Sequence, residues 1–454
     1  MRCNALRCII ETRTLRGVFR RLQEFEDSIK LTNLSNSIGK LPFCWGRKLK
    51  VVGGVFMQFD LGKWLQVQTG QEITDMPLID VKSISAGDER EWLVANGLGS
   101  YASASISGAN TRRYHGLLVA ALNPPTSRTQ LFSRIDEYIN GENISTNMWG
   151  PDNVEPKGFK KLTSFSIYPC PTWVYALDAG FLIKQVFMLP EEQGVNVLYG
   201  FEAREGAETE KEVALDLHVL LNYRDFHSET KGSDSWSFQQ RSTDDRVEFQ
   251  AFDGAREMVL SFPHGSWQPD NSWYSNYYYP REFERGLDDH DDAYHAGVLS
   301  VVLKSGQTFL LRACAELDDG SSSRFELDGP AALKSLINHQ NELLEQAESP
   351  RQNAVKRLVL AADQFIVRRE STQSQSIIAG YHWFNDWGRD AMISLPGLTL
   401  STGKIDEARS ILGTFQKFLS EGMLPNNFPD SGEQPQYNTS DATLWWAWAL
   451  KKYY

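Results

Sequence analysis

The sequence predicts two successive structural classes, a region of β-strands followed by a region of paired α-helices. Between residues 131 and 327, runs of strand length with apolar or alternating character recur between polar, turn-rich segments. After Pro330 the apolar residues recur at helical spacing instead. This order indicates a multidomain β-then-α chain, whose first part forms a sandwich or superimposed sheets rather than βαβ units.

The strands are predicted from apolar runs bounded by turn residues. These runs cover residues 114–121, 181–189, 195–203, 213–221, 247–252, 258–262 and 296–303. Residues 227–235 and 269–272 are polar and predict loops. The acidic sequence GLDDHDD, residues 286–292, lacks the alternating ligands and terminal glutamate of an EF-hand, and we interpret it as a solvated loop.

Helices are predicted over residues 331–348, 353–369, 389–400, 405–419 and 442–454. A loop rich in proline, asparagine and glycine, residues 422–436, precedes the last of them. Helices that follow one another in pairs predict the start of an α-helical barrel or toroid. The sequence ends within the last helical run, which predicts an unfinished helical domain.

Composition excludes several classes of function. The net charge of −12 argues against a nucleic-acid partner, because phosphate-binding proteins carry basic surfaces. No apolar run approaches 18 residues, so no membrane span is predicted.

Five cysteines without metal or disulfide spacing predict a reduced, cytoplasmic protein without a metal site. Gly97, Gly99 and Gly108 are not followed by a helix, so no dinucleotide cofactor is predicted.

Residues 1–56 differ from the rest of the chain. They contain 11 Lys and Arg against 4 Asp and Glu, a net charge of +7, whereas the remainder contains 35 against 54, a net charge of −19. An organelle presequence has this arginine-rich, acid-poor composition. We favour a misassigned start, with translation beginning at Met57. The predicted organisation is a basic leader (1–56), a β-sandwich domain (57–330), a helical linker (331–350) and a partial toroid (351–454).

Two aromatic and acidic segments in the helical part suggest carbohydrate chemistry. These are YHWFNDWGRD, residues 381–390, and YNTSDATLWWAW, residues 437–448. Aromatic rings stack on sugars, an arginine beside an aspartate can bind hydroxyls, and glycoside hydrolysis requires two carboxyl groups. The 13 tryptophans and 16 tyrosines fit a sugar-binding surface, although a β-rich domain also uses them. The candidate carboxyl groups of the helical part are Asp386, Asp390, Asp430, Glu433 and Asp441.

Each candidate also has a plainer interpretation. Arg389 and Asp390 could form an ordinary ion pair near a helix start, and Trp383 and Trp387 could belong to the core. Asp441 precedes Trp445 and Trp446 at the start of a predicted helix, where it could cap the helix or form a carboxylic acid against indoles. His115 and His382 are isolated in the sequence and are interpreted as structural.

Taken together, the segments resemble glycogen debranching enzymes of the prokaryotic amylo-α-1,6-glucosidase type. The resemblance runs through EWLVANGLGSYASASISGANTRRYHGLLVAALNPP (91–125) and AGYHWFNDWGRDAMISLPGLTLSTGKIDEARSILGTF (379–415). It continues through GMLPNNFPD (422–430) and YNTSDATLWW (437–446). It implies a β-supersandwich followed by an (α/α)6 toroid, no cofactor, and inverting hydrolysis of α-1,6-glucosyl stubs in glycogen or branched α-glucan oligosaccharides.

The resemblance also implies roles for individual residues. Arg389 and Asp390 would bind the non-reducing glucose, Trp383 and Trp387 would form walls of its pocket, and Asp441 would be the general acid. Further candidates for substrate binding are Asn438 and Trp445.

The sequence departs from the family in having about five helices after Pro330, where a toroid needs roughly twelve. The glutamate expected as the catalytic base has no counterpart. The interpretation is an incomplete toroid in a truncated or split product that is inactive or nearly so. The alternatives are another exo-glucosidase or phosphorylase of this architecture, or a non-catalytic glycan-binding fragment.

Overall fold

The computed structural model describes residues 59–71, 78–204, 211–316, 327–427 and 435–454. The chain divides into two compact units, Met1–Leu61 and Gly62–Tyr454. Nearly all of the first unit, and with it the predicted leader 1–56, lies outside the described residues. Two of the candidate carboxyl groups, Asp430 and Glu433, lie outside them as well.

Antiparallel strands dominate the part of the chain up to residue 315. They are β1 (Leu78–Ile79), β2 (Glu91–Ala95), β3 (Tyr101–Ser105), β4 (Gly116–Asn123), β5 (Thr126–Ile139), β6 (Glu142–Asn143), β7 (Thr146–Met148), β8 (Val154–Lys157), β9 (Leu162–Ser166), β10 (Thr172–Ala176), β11 (Gly180–Phe187), β12 (Gly194–Ala203), β13 (Glu212–Asp225), β14 (Gln239–Ser242), β15 (Arg246–Gln250), β16 (Met258–Ser261), β17 (Ser266–Tyr278), β18 (His290–Lys304) and β19 (Thr308–Ala315). The later hairpin consists of β20 (Ile366–Arg369) and β21 (Ser374–Ile377).

The helices of the described residues lie mainly after the strands. They are α1 (Leu61–Thr69), α2 (Pro280–Glu284), α3 (Gly329–Gln346), α4 (Asn353–Gln364), α5 (Gly388–Leu398), α6 (Ile405–Gln416) and α7 (Ala442–Tyr453). None of these helices is both long enough and apolar enough to cross a bilayer.

Two large sheets form a sandwich-like core. Within the described residues, one sheet has the order β1-β9-β10-β11-β12-β19-β16-β15-β14, and the other has the order β17-β18-β13-β5-β4-β3-β2 with β6 beside β5. One buried cluster joins side chains of both, such as Phe132 and Leu217 from the second sheet and Leu182 and Val197 from the first. The predicted succession of a strand-rich, sandwich-like region and a few helices is confirmed.

Local sequence explains why the chain changes class near residue 330. Asp328 caps α3, because its carboxylate accepts a hydrogen bond from the Ala331 amide at 3.0 Å. Pro330 lies in the first turn, where its missing N–H costs nothing. The helix buries Leu333, Leu336 and Ile337, which are the residues whose spacing predicted it.

The helix predicted over residues 353–369 is wrong at its C-terminal end. The helix α4 ends at Gln364, and the chain continues as β20, which pairs with β21 in the register Ile366↔Ile377. Ile366 and Val367 are β-branched and buried, and such residues fit a strand better than a helix. Pairing with β21 and burial of Ile366 and Val367 therefore favour a β-hairpin over the predicted last helical turn.

Two predicted loops are also wrong. Residues 269–272 lie within β17, where a register irregularity accommodates Pro269 and the following residues. The acidic segment 286–292 is not simply solvated, because Asp291 and Asp292 are buried at the start of β18. The Asp291 carboxylate accepts hydrogen bonds from Arg224 Nε at 3.1 Å and from the Tyr279 hydroxyl at 2.9 Å. An arginine distant in sequence supplies the counterion that a buried carboxylate requires.

The hairpin β20–β21 is joined to the start of α5 by a buried ion pair. Arg369 Nη1 donates to Asp386 Oδ2 at 2.6 Å, and the Asp386 side chain is 0% exposed. Burial raises the pKa of Asp386, although the Arg369 guanidinium acts in the opposite direction. The Asp386 carboxyl group is therefore a structural partner of Arg369 and is not accessible to a substrate. This removes Asp386 from the catalytic candidates.

Replacing Arg369 with methionine should destabilise the protein by about 3–5 kcal/mol, because the Asp386 carboxylate would remain buried without its partner. Urea denaturation gives the free energy of unfolding. The control is Arg368→Met on the same strand, whose exposed pair with Glu370 should contribute less than about 1 kcal/mol. Equal losses in both variants would contradict this interpretation.

Candidate functional site

The segment 379–385 forms a tight loop with exposed aromatic rings. The Ala379 amide donates to the Asn385 carbonyl at 2.9 Å, and the Phe384 amide donates to the Gly380 carbonyl at 2.8 Å. The Tyr381 ring is buried, and its hydroxyl donates to the Gln364 carbonyl at 2.5 Å. Trp383 and Phe384 are 38% and 48% exposed. The loop thus has a buried base and an accessible aromatic tip.

Trp383 is surrounded by residues of the strand-rich region. The guanidinium carbons of Arg112 and Arg285 lie 5.4 Å and 5.9 Å from the centroid of its ring, and the Tyr114 ring meets it edge to face at 6.3 Å. Both cations favour the electron-rich face of an indole. The Trp383 indole is thus partly accessible and lies beside two guanidinium groups, which themselves pair with Glu91 and Glu282.

Trp387 and Arg389 are positioned by the loop that begins at residue 422. The Gly388 amide donates to the Asn426 carbonyl at 2.9 Å, and the Arg389 amide donates to the Asn426 side chain at 3.4 Å. Asn427 forms β-bridges with both Trp387 and Gln436. The two sequence segments that suggested carbohydrate chemistry are therefore joined by one loop. Trp387 also meets the Phe384 ring edge to face at 5.9 Å.

Arg389 pairs with Asp441 and not with the neighbouring Asp390. Its Nε donates to Asp441 Oδ1 at 2.9 Å, whereas the Asp390 side chain, one residue further along α5, is exposed. Consecutive residues of a helix point in different directions, which explains why the adjacent pair does not form. The side chains of Arg389 and Asp441 are 43% and 41% exposed. Such a pair contributes little to stability, so both groups remain accessible for ligand chemistry.

Asp441 does not act as a side-chain cap of α7. It occupies the N-cap position, but its carboxylate makes no capping hydrogen bond. The alternative interpretation, a carboxylic acid buried against two indoles, does not match the structure either, because the Asp441 side chain is 41% exposed. Trp446 Nε1 donates to the Leu412 carbonyl at 3.2 Å, and Trp445 meets Trp448 edge to face at 5.5 Å, so these partly buried rings pack against the helical core. Asn438 lies exposed in the segment before Asp441.

A second cluster, which the sequence interpretation missed, consists of Glu91, His115 and His382. Their ligand-type atoms lie within 4.8 Å of one another. Arg112 Nε donates to Glu91 Oε1 at 2.6 Å. Burial opposes ionisation of Glu91, but His115 and Arg112 outweigh it and lower its pKa to about 2. Burial lowers the pKa of His115 and lowers that of His382 to about 3. No local motif marks this cluster, since its members come from two distant segments.

The hydrogen bonds of this cluster do not fit a metal site. The Thr111 amide donates to His115 Nδ1 at 3.0 Å, which places the His115 proton on Nε2, the atom facing Glu91. The Ser103 hydroxyl donates to the Trp92 carbonyl at 2.7 Å and therefore accepts from His382 Nε2 at 3.0 Å. A neutral histidine ligand needs a lone pair toward the ion, which His115 does not present. The cluster is an electrostatic contact between the strand-rich region and the loop of residues 379–385, called the aromatic loop below.

A cavity of about 740 Å³ lies elsewhere, between β-strands and helices. Leu93, Tyr168 and Leu336 are among its lining residues, together with Asp363, which pairs with Lys404 at 2.8 Å. None of the predicted site residues lines this cavity. The candidate site therefore consists of surface residues outside this cavity, namely Trp383 and the accessible ion pair of Arg389 and Asp441.

Two family models match the chain. The model described as the N-terminal part of glycogen debranching enzyme matches residues 90–310, and the model described as amylo-α-1,6-glucosidase matches residues 360–454. Together they match more than two thirds of the chain. The chain belongs to the glycogen debranching enzyme family. The cluster of Glu91, His115 and His382 joins the two matched parts of this family member.

A curated relative agrees with the family over a short stretch. The glycogen debranching enzyme of Saccharomyces cerevisiae is 36% identical over 110 residues, which is 22% of this chain. The match spans 7% of the length of that relative. The likeness supports membership of the family and does not extend to the whole yeast protein.

Solved structures give weaker likenesses. A bacterial glucoamylase complexed with acarbose has a TM-score of 0.45 and 12% identity, covering 84% of this chain and 58% of its own. A family GH92 α-mannosidase from Bacteroides thetaiotaomicron has a TM-score of 0.29 and 11% identity, covering 75% of this chain and 46% of its own. At these values neither structure defines the fold of the family member described above.

The buried His382 should make the stability of the protein depend on pH. The folded state keeps this imidazole neutral down to a pKa of about 3, whereas the unfolded imidazole binds a proton below about pH 6.5. The contribution of His382 to the free energy of unfolding is therefore fully present above about pH 6.5. It is lost as the pH falls below that value, by about 1.4 kcal/mol per pH unit. His382→Gln should reduce the difference in unfolding free energy between pH 7 and pH 5 by about 2 kcal/mol.

Urea denaturation at both pH values measures this difference. The control is His264→Gln, which makes the same substitution at an exposed histidine outside this cluster. An unchanged pH dependence in His382→Gln would refute the assignment of a neutral, buried imidazole.

Proposed function

We propose that this chain binds branched α-glucan and contributes to hydrolysis of α-1,6-linked glucosyl stubs, with inversion, as a glycogen debranching enzyme. The family descriptions support the choice of reaction. The observation that carries the proposal is the accessible pair of Arg389 and Asp441, joined across 52 residues, with Trp387 two positions before Arg389 in the chain. Charged groups that are paired yet accessible can exchange their partner for a ligand.

In this proposal each predicted residue has a role. Arg389 and Asp390 bind hydroxyls of the non-reducing glucose, as donor and acceptor. Trp383 and Trp387 form apolar walls against the faces of the sugar. Asn438 and Trp445 line the same region.

Asp441 is proposed as the general acid. A carboxyl group that donates a proton to the leaving oxygen must be protonated when the bond breaks. Arg389 at 2.9 Å favours the carboxylate instead. We infer that Arg389 turns to the glucose hydroxyls on binding, which releases Asp441 to bind the proton. Inversion also needs a second carboxyl group about 6.5–9.5 Å from the first, which activates the attacking water.

The domain organisation is part of the proposal. Residues 57–330 would form the β-supersandwich, residues 331–350 the helical linker and residues 351–454 the first helices of an (α/α)6 toroid. A cytoplasmic location is proposed from the free thiols of Cys170 and Cys314. The proposed partner is glycogen or a branched α-glucan oligosaccharide, with no cofactor.

Arg389→Met should weaken binding of glycogen by about tenfold or more, because a charge-assisted hydrogen bond contributes roughly 1.5–3 kcal/mol. Asp441→Asn should leave affinity within a few-fold, since an amide can still occupy the site. Affinity electrophoresis in gels containing glycogen measures both dissociation constants for the 454-residue chain. Arg409→Met is the matched control, as Arg409 is exposed and hydrogen-bonds to the Tyr453 hydroxyl.

Glucose release from a limit dextrin separates the possible functions. Release that Asp441→Asn abolishes would support the acid role, whereas release that the variant retains would refute it. Retardation in the gel without any release would favour a glycan-binding protein. Absence of retardation would refute glucan binding.

A further inference from the structure

Arg128 connects the β-sandwich to the aromatic loop, residues 379–385. It lies on β5, and its side chain is wholly buried. Its Nη1 donates to the Tyr381 carbonyl at 2.6 Å, and its Nη2 donates to the Phe384 carbonyl at 2.7 Å. The Asn385 side-chain oxygen accepts a further hydrogen bond from Nη2. One guanidinium group therefore binds three oxygens of a loop more than 250 residues away.

These contacts fix the backbone on both sides of the exposed rings. The Tyr381 carbonyl precedes Trp383, and the Phe384 carbonyl follows it. The amides of Trp383 and Phe384 both donate to the Gly380 carbonyl, which closes the turn from inside. The Ser103–His382 hydrogen bond at 3.0 Å adds a second connection to the sandwich. Trp383 and Phe384 are partly exposed, and this backbone sets where both side chains leave the loop.

Arginine is suited to this contact for a reason that other cations do not share. Its planar fork presents several N–H donors in fixed directions, so it can satisfy several acceptors at once. The guanidinium carbon also lies 4.2 Å from the centroid of the Phe226 ring, which favours the charge in a buried setting. Lysine has a single flexible ammonium group and cannot reproduce this geometry.

We propose that Arg128 is a positioning residue for glucan binding, which orders the loop bearing Trp383 before the sugar arrives. The proposal rests on the proposed function, because Trp383 is taken to contact the sugar. A loop that is already ordered loses less conformational entropy on binding. Ordering the loop in advance therefore increases its affinity for the sugar. Arg128 itself does not contact the ligand.

Arg134 provides a matched control. It lies on the same strand, is buried, and binds Asp136 at 2.9 Å and the Thr146 carbonyl at 3.0 Å within the strand-rich region. Arg134→Met therefore removes a comparable buried arginine and leaves the hydrogen bonds between Arg128 and the aromatic loop in place. A loss specific to Arg128→Met separates positioning from general destabilisation.

The first measurement is amide hydrogen exchange by mass spectrometry on the full chain. In Arg128→Met, peptides covering residues 379–387 should exchange at least tenfold faster than in the native protein, while peptides of β4 and β13 should be unchanged. Arg134→Met should leave exchange of residues 379–387 at the native rate. Arg128→Lys, which retains the charge and one donor group, should give an intermediate rate and serves if the methionine variant does not fold.

The second measurement is affinity electrophoresis in glycogen. Arg128→Met should bind at least tenfold more weakly than the native chain, and Arg134→Met should bind within twofold of it. Native exchange of the loop in both Arg128 variants would overturn the proposal, as would equal effects of Arg128→Met and Arg134→Met. Faster exchange with unchanged affinity would also overturn it. If the native chain is not retarded, the proposed function fails, while the exchange rates still decide whether Arg128 orders the loop.

Discussion

The buried ion pair of Arg369 and Asp386 is the contact on which the geometry of the candidate site depends. A carboxylate that is fully removed from water must be paired, and here the partner is contributed by a hairpin strand. The pair fixes the chain one residue before Trp387, and α5 begins at Gly388. Arg389 then leaves the first turn of α5 in the direction of Asp441. The buried pair thus acts on the position of α5 together with the hydrogen bonds from Gly388 and Arg389 to Asn426.

The fold could be predicted where apolar residues recur in the sequence with the same period as burial along the strand or helix. Residues 213–219 alternate in burial along β13, and residues 246–250 alternate along β15, as their composition indicates. The prediction fails where a distant residue decides the local structure. Residues 366–369 become a strand because of pairing with β21, and Asp291 is buried because Arg224 accompanies it. Neither partner is marked in the local sequence, and apolar spacing alone does not distinguish these outcomes.

The candidate site shows the same division. Its aromatic and charged residues could be predicted by type, since YHWFNDWGRD and YNTSDATLWW contain the groups that sugars require. The pairing could not, because Arg389 selects Asp441 rather than its neighbour and His382 meets residues of the first strands. The abundance of tryptophan was also an ambiguous signal. Trp92 and Trp173 are fully packed in the sandwich, whereas Trp383 reaches the surface.

The aromatic loop has a consequence for how this family can vary. Its sequence belongs to the segment matched by the amylo-α-1,6-glucosidase model, while Arg128, Ser103 and Arg112 belong to the segment matched by the N-terminal model. The two segments are therefore not interchangeable modules. A chimera that takes one segment from a divergent relative would combine the aromatic loop with a strand-rich region that lacks the side chains that contact it, even if each half folded correctly. Selection would act on the two segments as one inherited unit.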